Sequence, residues 1–160
     1  MLRRVLLLFA VLALCSCQWK LVEEGSESAP ESEQKDGTEV MKKLGVSVGG
    51  KLLTADFEDN SSAEAFASRL ASGSVTVSMS DYGDFEKVGS LGFSLPRNDR
   101  SIDTVPGDVI LYQGNQITIY YDENSWSFTK LAHIPGATRE SVLEFLGSGT
   151  VSVTFSLVEE

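Results

Sequence analysis

At 160 residues the chain has room for one domain built around one core. Acidic residues outnumber basic ones by 23 to 13, a net charge of −10, so phosphate backbones repel the chain and nucleic-acid binding is not expected. Two cysteines and a single histidine supply neither a disulfide framework nor an ordinary zinc site, and no cofactor or metal is implied.

The opening segment, "MLRRVLLLFAVLALCSC", sets Arg3 and Arg4 ahead of an apolar run from Val5 to Leu14. A helix over that run is roughly 15 Å long, about half the hydrocarbon thickness of a bilayer, which fits an export signal and not a spanning anchor. Leu14-Cys15-Ser16-Cys17 resembles the lipobox of bacterial lipoprotein precursors: leucine, two small residues, then the cysteine that is modified. The resemblance implies a signal peptide over residues 1–16, cleavage before Cys17, and lipid on the Cys17 sulfur and new amino group. Several acyl chains on one residue satisfy the requirement for stable anchoring. The expected location is therefore the cell envelope, with Cys17 as the membrane attachment. Gln18, not aspartate, after that cysteine resembles sorting to an outer membrane. Loss of Cys15 with the signal and acylation of Cys17 leave the mature domain without a free thiol, and loss of Arg3 and Arg4 deepens its negative charge by two.

Residues 17–40 form a second region, in which "QWKLVEEGSESAPESEQKDGTE" carries seven acidic and two basic residues with Ser, Gly and Pro30. Such a composition buries too little apolar surface to order itself, so an acidic, disordered tether is expected. As a flexible coil its 22 residues span roughly 26 Å, enough to lift a domain clear of lipid headgroups.

The folded domain is expected over residues 41–160. "KLGVSVGGKLLTADFED" reads as two strands around a Gly49-Gly50 turn. A helix follows in "DNSSAEAFASRLASG", capped by Asn60 or Ser61, with Glu64 placed for a capping box and Ala63, Phe66, Ala67 and Leu70 on one face. "SVTVSMS" is a strand and "DYGD" a turn; residues 87–107, with Pro96 and Pro106, read as irregular. "GDVILYQGNQITIYYD" is a hairpin whose Gly114-Asn115 suits a type II′ turn. "WSFTKLAHI" is a strand, "TRESVLEFLGSG" a short helix between Thr138 and Gly147, and "TVSVTFSLV" a final strand. Many short strands with two short helices point to a mainly β fold, a small barrel whose ends the helices cover.

The stretches "TADFEDNSSAEAFASRL", "TVSMSDYGD", "PGDVILYQGNQITIYY" and "SWSFTKLAHIPG…SVLEFL" resemble, in order and spacing, the bacterial cyclophilin-like domains, small barrels related in fold to the prolyl isomerases. The resemblance spans about residues 44 to 157 and implies a cyclophilin-like β-barrel. True isomerases carry Phe-His-Arg on the strand after the first helix, where the arginine polarises the proline nitrogen. "TVSMSDYG" has no arginine there, the Gln-Gly-Gly motif is missing, and the isomerase pocket histidine falls near Phe128. Loss of that electrostatic group costs orders of magnitude in rate. The resemblance therefore implies a peptide- or small-ligand-binding module without catalytic residues. The alternatives are a weak or divergent prolyl isomerase acting on exported proteins, and a structural or assembly module of an envelope complex.

His133, the single histidine, lies on a strand in apparent alternation with Trp126, Phe128 and Lys130, so it is expected to share the exposed face of Ser127 and Thr129. No G-x-S-x-G elbow accompanies it, and it is read as a strand residue. "DFEDN" lacks the pattern of a calcium loop and reads as the approach to a helix. The aromatic residues Tyr82, Tyr112, Tyr120, Tyr121, Trp126 and Phe128 come from neighbouring strands or their turns. The candidate ligand-binding residues are Asp81, Tyr82, Arg97, Tyr112, Tyr121, Trp126 and Phe128, with Asn98 adding polar definition. The plainer alternative is that the rings are half-exposed packing over the barrel.

Overall fold

The computed structural model describes residues 42–159. The expected signal peptide at 1–16, the lipidated Cys17 and the tether to residue 40 lie outside the described residues. Nine strands and two helices follow one another as β1 (Lys42–Val48), β2 (Lys51–Phe57), α1 (Ser61–Ala71), β3 (Val75–Tyr82), β4 (Glu86–Ser90), β5 (Arg100–Asp103), β6 (Asp108–Tyr112), β7 (Gln116–Tyr120), β8 (Ser125–His133), α2 (Arg139–Leu146) and β9 (Val151–Glu159).

All the strand pairings are antiparallel, in the order β2-β1-β9-β3-β4-β7-β6-β8-β5. A further pairing of β2 with β8, Asp56 opposite His133 and Phe57 opposite Ala132, closes the sheet into a ring. β8 makes this possible by dividing its outer edge: its first half, Ser125 to Phe128, pairs with β5, and its last residues pair with β2. Its other edge runs along β6, where the register slips between Val109 opposite Ala132 and Ile110 opposite Lys130, leaving Leu131 as an extra residue. That bulge bends the strand where the ring turns.

The ring's interior is filled from alternate positions of its strands. Leu44, Met79, Leu111, Ile119, Val153 and Phe155 are fully buried there. α1 closes one part of the core with Phe66 and Leu70, and the Phe66 ring meets Phe155 edge-on at 5.9 Å. α2 adds Val142, Phe145 and Leu146. Asn60 is the cap of α1: its side-chain oxygen accepts from the backbone of Ser62 and Ala63, each at 3.0 Å, in place of the box anticipated between Ser61 and Glu64. Thr138 caps α2, with Ser141 reciprocating.

Two expectations from sequence need correction. Residues 87–107 are not irregular throughout, since they contain most of β4 and all of β5. The intervening loop is pinned by polar contacts: Ser62 donates to the Pro96 carbonyl at 2.6 Å, Asn98 donates to Ser62 at 2.6 Å, and the Asn98 backbone donates to Thr129 at 2.8 Å. The β6–β7 connection is not a type II′ turn on Gly114-Asn115. Positive φ falls on Gln113 (51°) and Gly114 (80°), as a type I′ turn demands, and Asn115 N–H bonds the Tyr112 carbonyl at 3.3 Å. The β3–β4 hairpin repeats that geometry at Gly83 (62°) and Asp84 (59°).

Inside the β3–β4 hairpin, Lys87 is fully buried. Its ammonium donates to Asp81 Oδ1 and to the Gly149 carbonyl, both at 2.7 Å. Burial tends to raise the Asp81 carboxyl, but the hydrogen bond and charge of Lys87, with the Gly149 N–H, hold it below the usual carboxylate range. The pair joins β3 and β4 to the loop before β9. The two partners are unequal, because Asp81 keeps solvent access and Lys87 has none. Removal of Asp81 strands a buried ammonium, whereas removal of Lys87 leaves a carboxylate that water can reach. Asp81→Ala is therefore expected to lower unfolding free energy by about 3 kcal/mol, and Lys87→Met by about 1 kcal/mol or less, in urea titrations at pH 7. The lowered Asp81 pKa makes its contribution one that is present above the unfolded carboxylate range and lost as pH falls through the folded value.

Candidate functional site

The outer face of the ring is apolar across part of β4, β7, β6 and β8. A second cluster of buried residues, Ile110, Tyr120 and Phe128, forms there with Phe85, Ile102 and Tyr112 against it, apart from the ring's interior. The strand period explains it. Tyr82 lies opposite Glu86, and Glu86 opposite Tyr120, so these three share the outward face, while Asp81, Lys87 and Ile119 share the inward one.

The rings form a continuous chain. Tyr82 meets Phe85 edge-on at 6.1 Å, Phe85 stacks parallel to Tyr120 at 6.0 Å, Tyr120 tilts against Phe128 at 5.6 Å, and Phe128 meets Tyr112 edge-on at 6.2 Å. Each such contact adds about 0.5–1.5 kcal/mol beyond burial. Both type I′ hairpins feed this face, since Tyr82 and Tyr112 immediately precede the two turns. Gly83 is required on two counts: its φ is positive, and a Cβ there would stand 2.3 Å from the Phe85 ring.

Above the ring chain is an open cleft of about 340 Å³. Tyr82 and Trp126 stand at its rim, each 63% exposed, while Phe128 and Tyr120 are buried beneath. Glu86 reaches the cleft from below and is 7% exposed. Burial pushes its carboxyl above the usual range, and the neighbouring Tyr120 and Thr118 hydroxyls offset this in part. Neither hydroxyl is aligned with Glu86 Oε2, which is buried without a hydrogen-bond partner, as is Thr118 Oγ1. The Tyr120 phenol is raised strongly by burial and by Glu86, and accepts a long hydrogen bond from Asn124 at 3.5 Å. Among the described residues, no arginine or lysine lines the cleft.

The residues anticipated as a single groove are divided by the sheet. Tyr82, Tyr112, Trp126 and Phe128 converge on the cleft. Asp81 and Tyr121 lie at a separate depression beside α2, where the Tyr121 hydroxyl donates to Asp81 at 3.3 Å and Arg139 stacks over the Tyr121 ring at 5.5 Å. Burial, then the charge of Asp81, pushes that phenol up to about 12. Arg97 joins neither place; it pairs with Asp99 and packs beside Gly114. Asn98 is committed to the N-terminus of α1. The residues not anticipated are Phe85, Glu86, Val88, Gln116 and Asn124.

His133 occupies a different face from the one expected. The extra residue Leu131 shifts the alternation, so His133 lies opposite Asp108 and shares the outward side of Lys130, not that of Ser127 and Thr129. Its Nδ1 is 2.8 Å from Asp108 Oδ1, which Lys130 also meets at 2.7 Å. Asp108 is fully buried, and its second oxygen accepts from the Val105 N–H at 3.1 Å. The Lys130 ammonium thus compensates the buried carboxylate, and the His133 imidazole bonds the same oxygen. Among the described residues, no group of three or more His, Cys, Asp or Glu side chains is placed to hold a metal ion.

A ring-closed antiparallel sheet with two covering helices and an outward aromatic cleft defines the class of this molecule. The model of the cyclophilin-like family matches residues 46–156, and the chain belongs to that family. Its fold is also similar to the solution structure of a hypothetical protein from Archaeoglobus fulgidus, with a TM-score of 0.55 and 15% identity over 75% of this chain and 98% of that one. The curated proteins include no match.

The buried Glu86 carboxyl has a consequence for stability. Its raised pKa means that the protonated form favours folding, and that this contribution is lost as pH rises through the folded value. Glu86→Gln, which removes the buried charge, is expected to raise unfolding free energy at pH 7 by about 1 kcal/mol. The gain should vanish below about pH 4, where Glu86 is protonated in the folded and the unfolded chain alike. Urea titrations at the two pH values measure it.

Proposed function

We infer that the domain is a binding module that receives a peptide or small ligand in the cleft between Tyr82, Tyr112 and Trp126. The observation that carries this reading is the exposure of Tyr82 and Trp126 over a floor of buried rings that contains one buried carboxyl, Glu86. Aromatic walls with few polar groups are the usual composition of small-ligand clefts, and about 340 Å³ lies at the lower end of their size range. The cleft has no arginine to polarise a proline nitrogen, which favours binding over isomerase chemistry.

The lipobox-like Leu14-Cys15-Ser16-Cys17 supports the further proposal that the domain is held to the cell envelope by lipid on Cys17. The acidic tether would then present the cleft away from the membrane surface.

Trp126 reports directly on the cleft. In a Trp19→Phe background, a panel of capped dipeptides and aromatic amides is expected to include members that shift Trp126 emission saturably and raise Tm. Tyr112→Ala should weaken such binding by roughly ten-fold, the loss of one aromatic anchor. A panel without a single saturable shift would sink the reading. Partition of the full chain into membranes, lost on Cys17→Ser, checks the anchor.

A further inference from the structure

We propose that the cleft selects ligands that present a primary ammonium group, held by Glu86 between the faces of the surrounding rings. The inference rests on the binding reading above and specifies what that site recognises.

A carboxylate placed among aromatic rings is costly, and it usually meets a cation inside the protein. Among the described residues Asp108 is the other buried carboxylate, and it meets Lys130 at 2.7 Å; even the exposed Asp81 and Asp99 pair with Lys87 and Arg97. Glu86 is the exception. Its neighbour Lys87 is on the opposite side of the strand and is already committed, and no cationic side chain among the described residues lines the cleft. Only the neutral Tyr120 and Thr118 hydroxyls lie beside the Glu86 carboxyl, and Oε2 makes no well-formed hydrogen bond. The protein has built the anionic half of an ion pair and left the other half out.

The surroundings fit the missing half. Six of the ten residues lining the cleft are aromatic and one is acidic. Ring faces attract ammonium groups, and more strongly where water is excluded. A primary ammonium has three N–H donors, so it can meet the cleft-facing side of the Glu86 carboxyl and other acceptors as well. Gln116 and Asn124 supply side-chain carbonyl oxygens at the same cleft. Among the described residues an anionic ligand finds no positive group here, and an uncharged donor would leave the Glu86 carboxylate unneutralised. The chain's net charge of −10 also concentrates cations around the domain.

The test compares two probes of nearly the same shape, phenethylammonium and 2-phenylethanol, against the full chain carrying Trp19→Phe, with Trp126 emission as readout. The ammonium is expected to bind on the order of ten-fold more tightly than the alcohol. Glu86→Gln should bring the two within about two-fold, and because that variant is expected to be the more stable protein, loss of selectivity is not loss of fold. In the parent, the ammonium should also move the carboxyl ¹³C resonance of Glu86. Equal binding of both probes to the parent overturns the ammonium assignment while leaving the cleft a binding site. Selectivity that survives Glu86→Gln overturns the role of Glu86. Failure of both probes to bind overturns the present proposal and the binding reading together.

Discussion

One extra residue in β8 sets the terms for the rest of the domain. Leu131 breaks the alternation of the strand that carries three partners, and both segments around it keep a fixed side toward the core. Before the bulge, Trp126 and Phe128 face outward into the cleft; after it, His133 faces outward to Asp108, although it is an odd number of residues away. Leu131 and Ala132 both turn inward to the core as a result. Without the insertion, either the closing contact with β2 or the aromatic face beside β6 would be turned to the wrong side, because a one-residue slip moves every side chain across a sheet.

The second consequence is a sheet that is apolar on both faces over part of its width. Antiparallel sheets commonly leave one face to water. Here β6 and β7 contribute Val109, Leu111, Ile117 and Ile119 to the interior, and Ile110 and Tyr120 to the outer cluster. Neither helix is needed to build that outer cluster. The type I′ hairpins bring in Tyr82, Phe85 and Tyr112, and the rings pack on one another. The cleft is what remains open above them. Glu86 stands at the point where this apolar surface contains a charge, and it is the one carboxylate there that no protein cation compensates.

Much of the fold could be read from the chain, and the failures have identifiable causes. The β6–β7 hairpin, both helices and the terminal strands carry strong periodic or capping signals, and the family resemblance over about residues 44 to 157 agrees with the matched span of 46–156. β4 escaped notice because the inward position opposite Asp81 is a lysine, which breaks the apolar alternation a strand is read by. β5, with the sequence RSID, is defined by its partner β8 and not by its own composition. In the site, adjacency misled: Asp81 and Tyr82, or Tyr120 and Tyr121, cannot face the same side of a strand. Applying the period of two at those pairs would have separated the cleft from the Asp81–Tyr121 end. The blurred alternation at Leu131 was the trace of the bulge. Glu86 left no signal, since its isolation from cations is a property of three-dimensional packing alone.

The central claim is that the outward face of β4, β7, β6 and β8 is where this domain meets a ligand. Amide NMR shifts of the domain during a fragment screen test it most directly, because they locate binding without assuming a ligand. The account predicts that perturbed amides cluster on residues 85–88, 116–120 and 125–128. Perturbations gathered instead around Asp81, Tyr121 and Arg139, or scattered over the ring without focus, would contradict it.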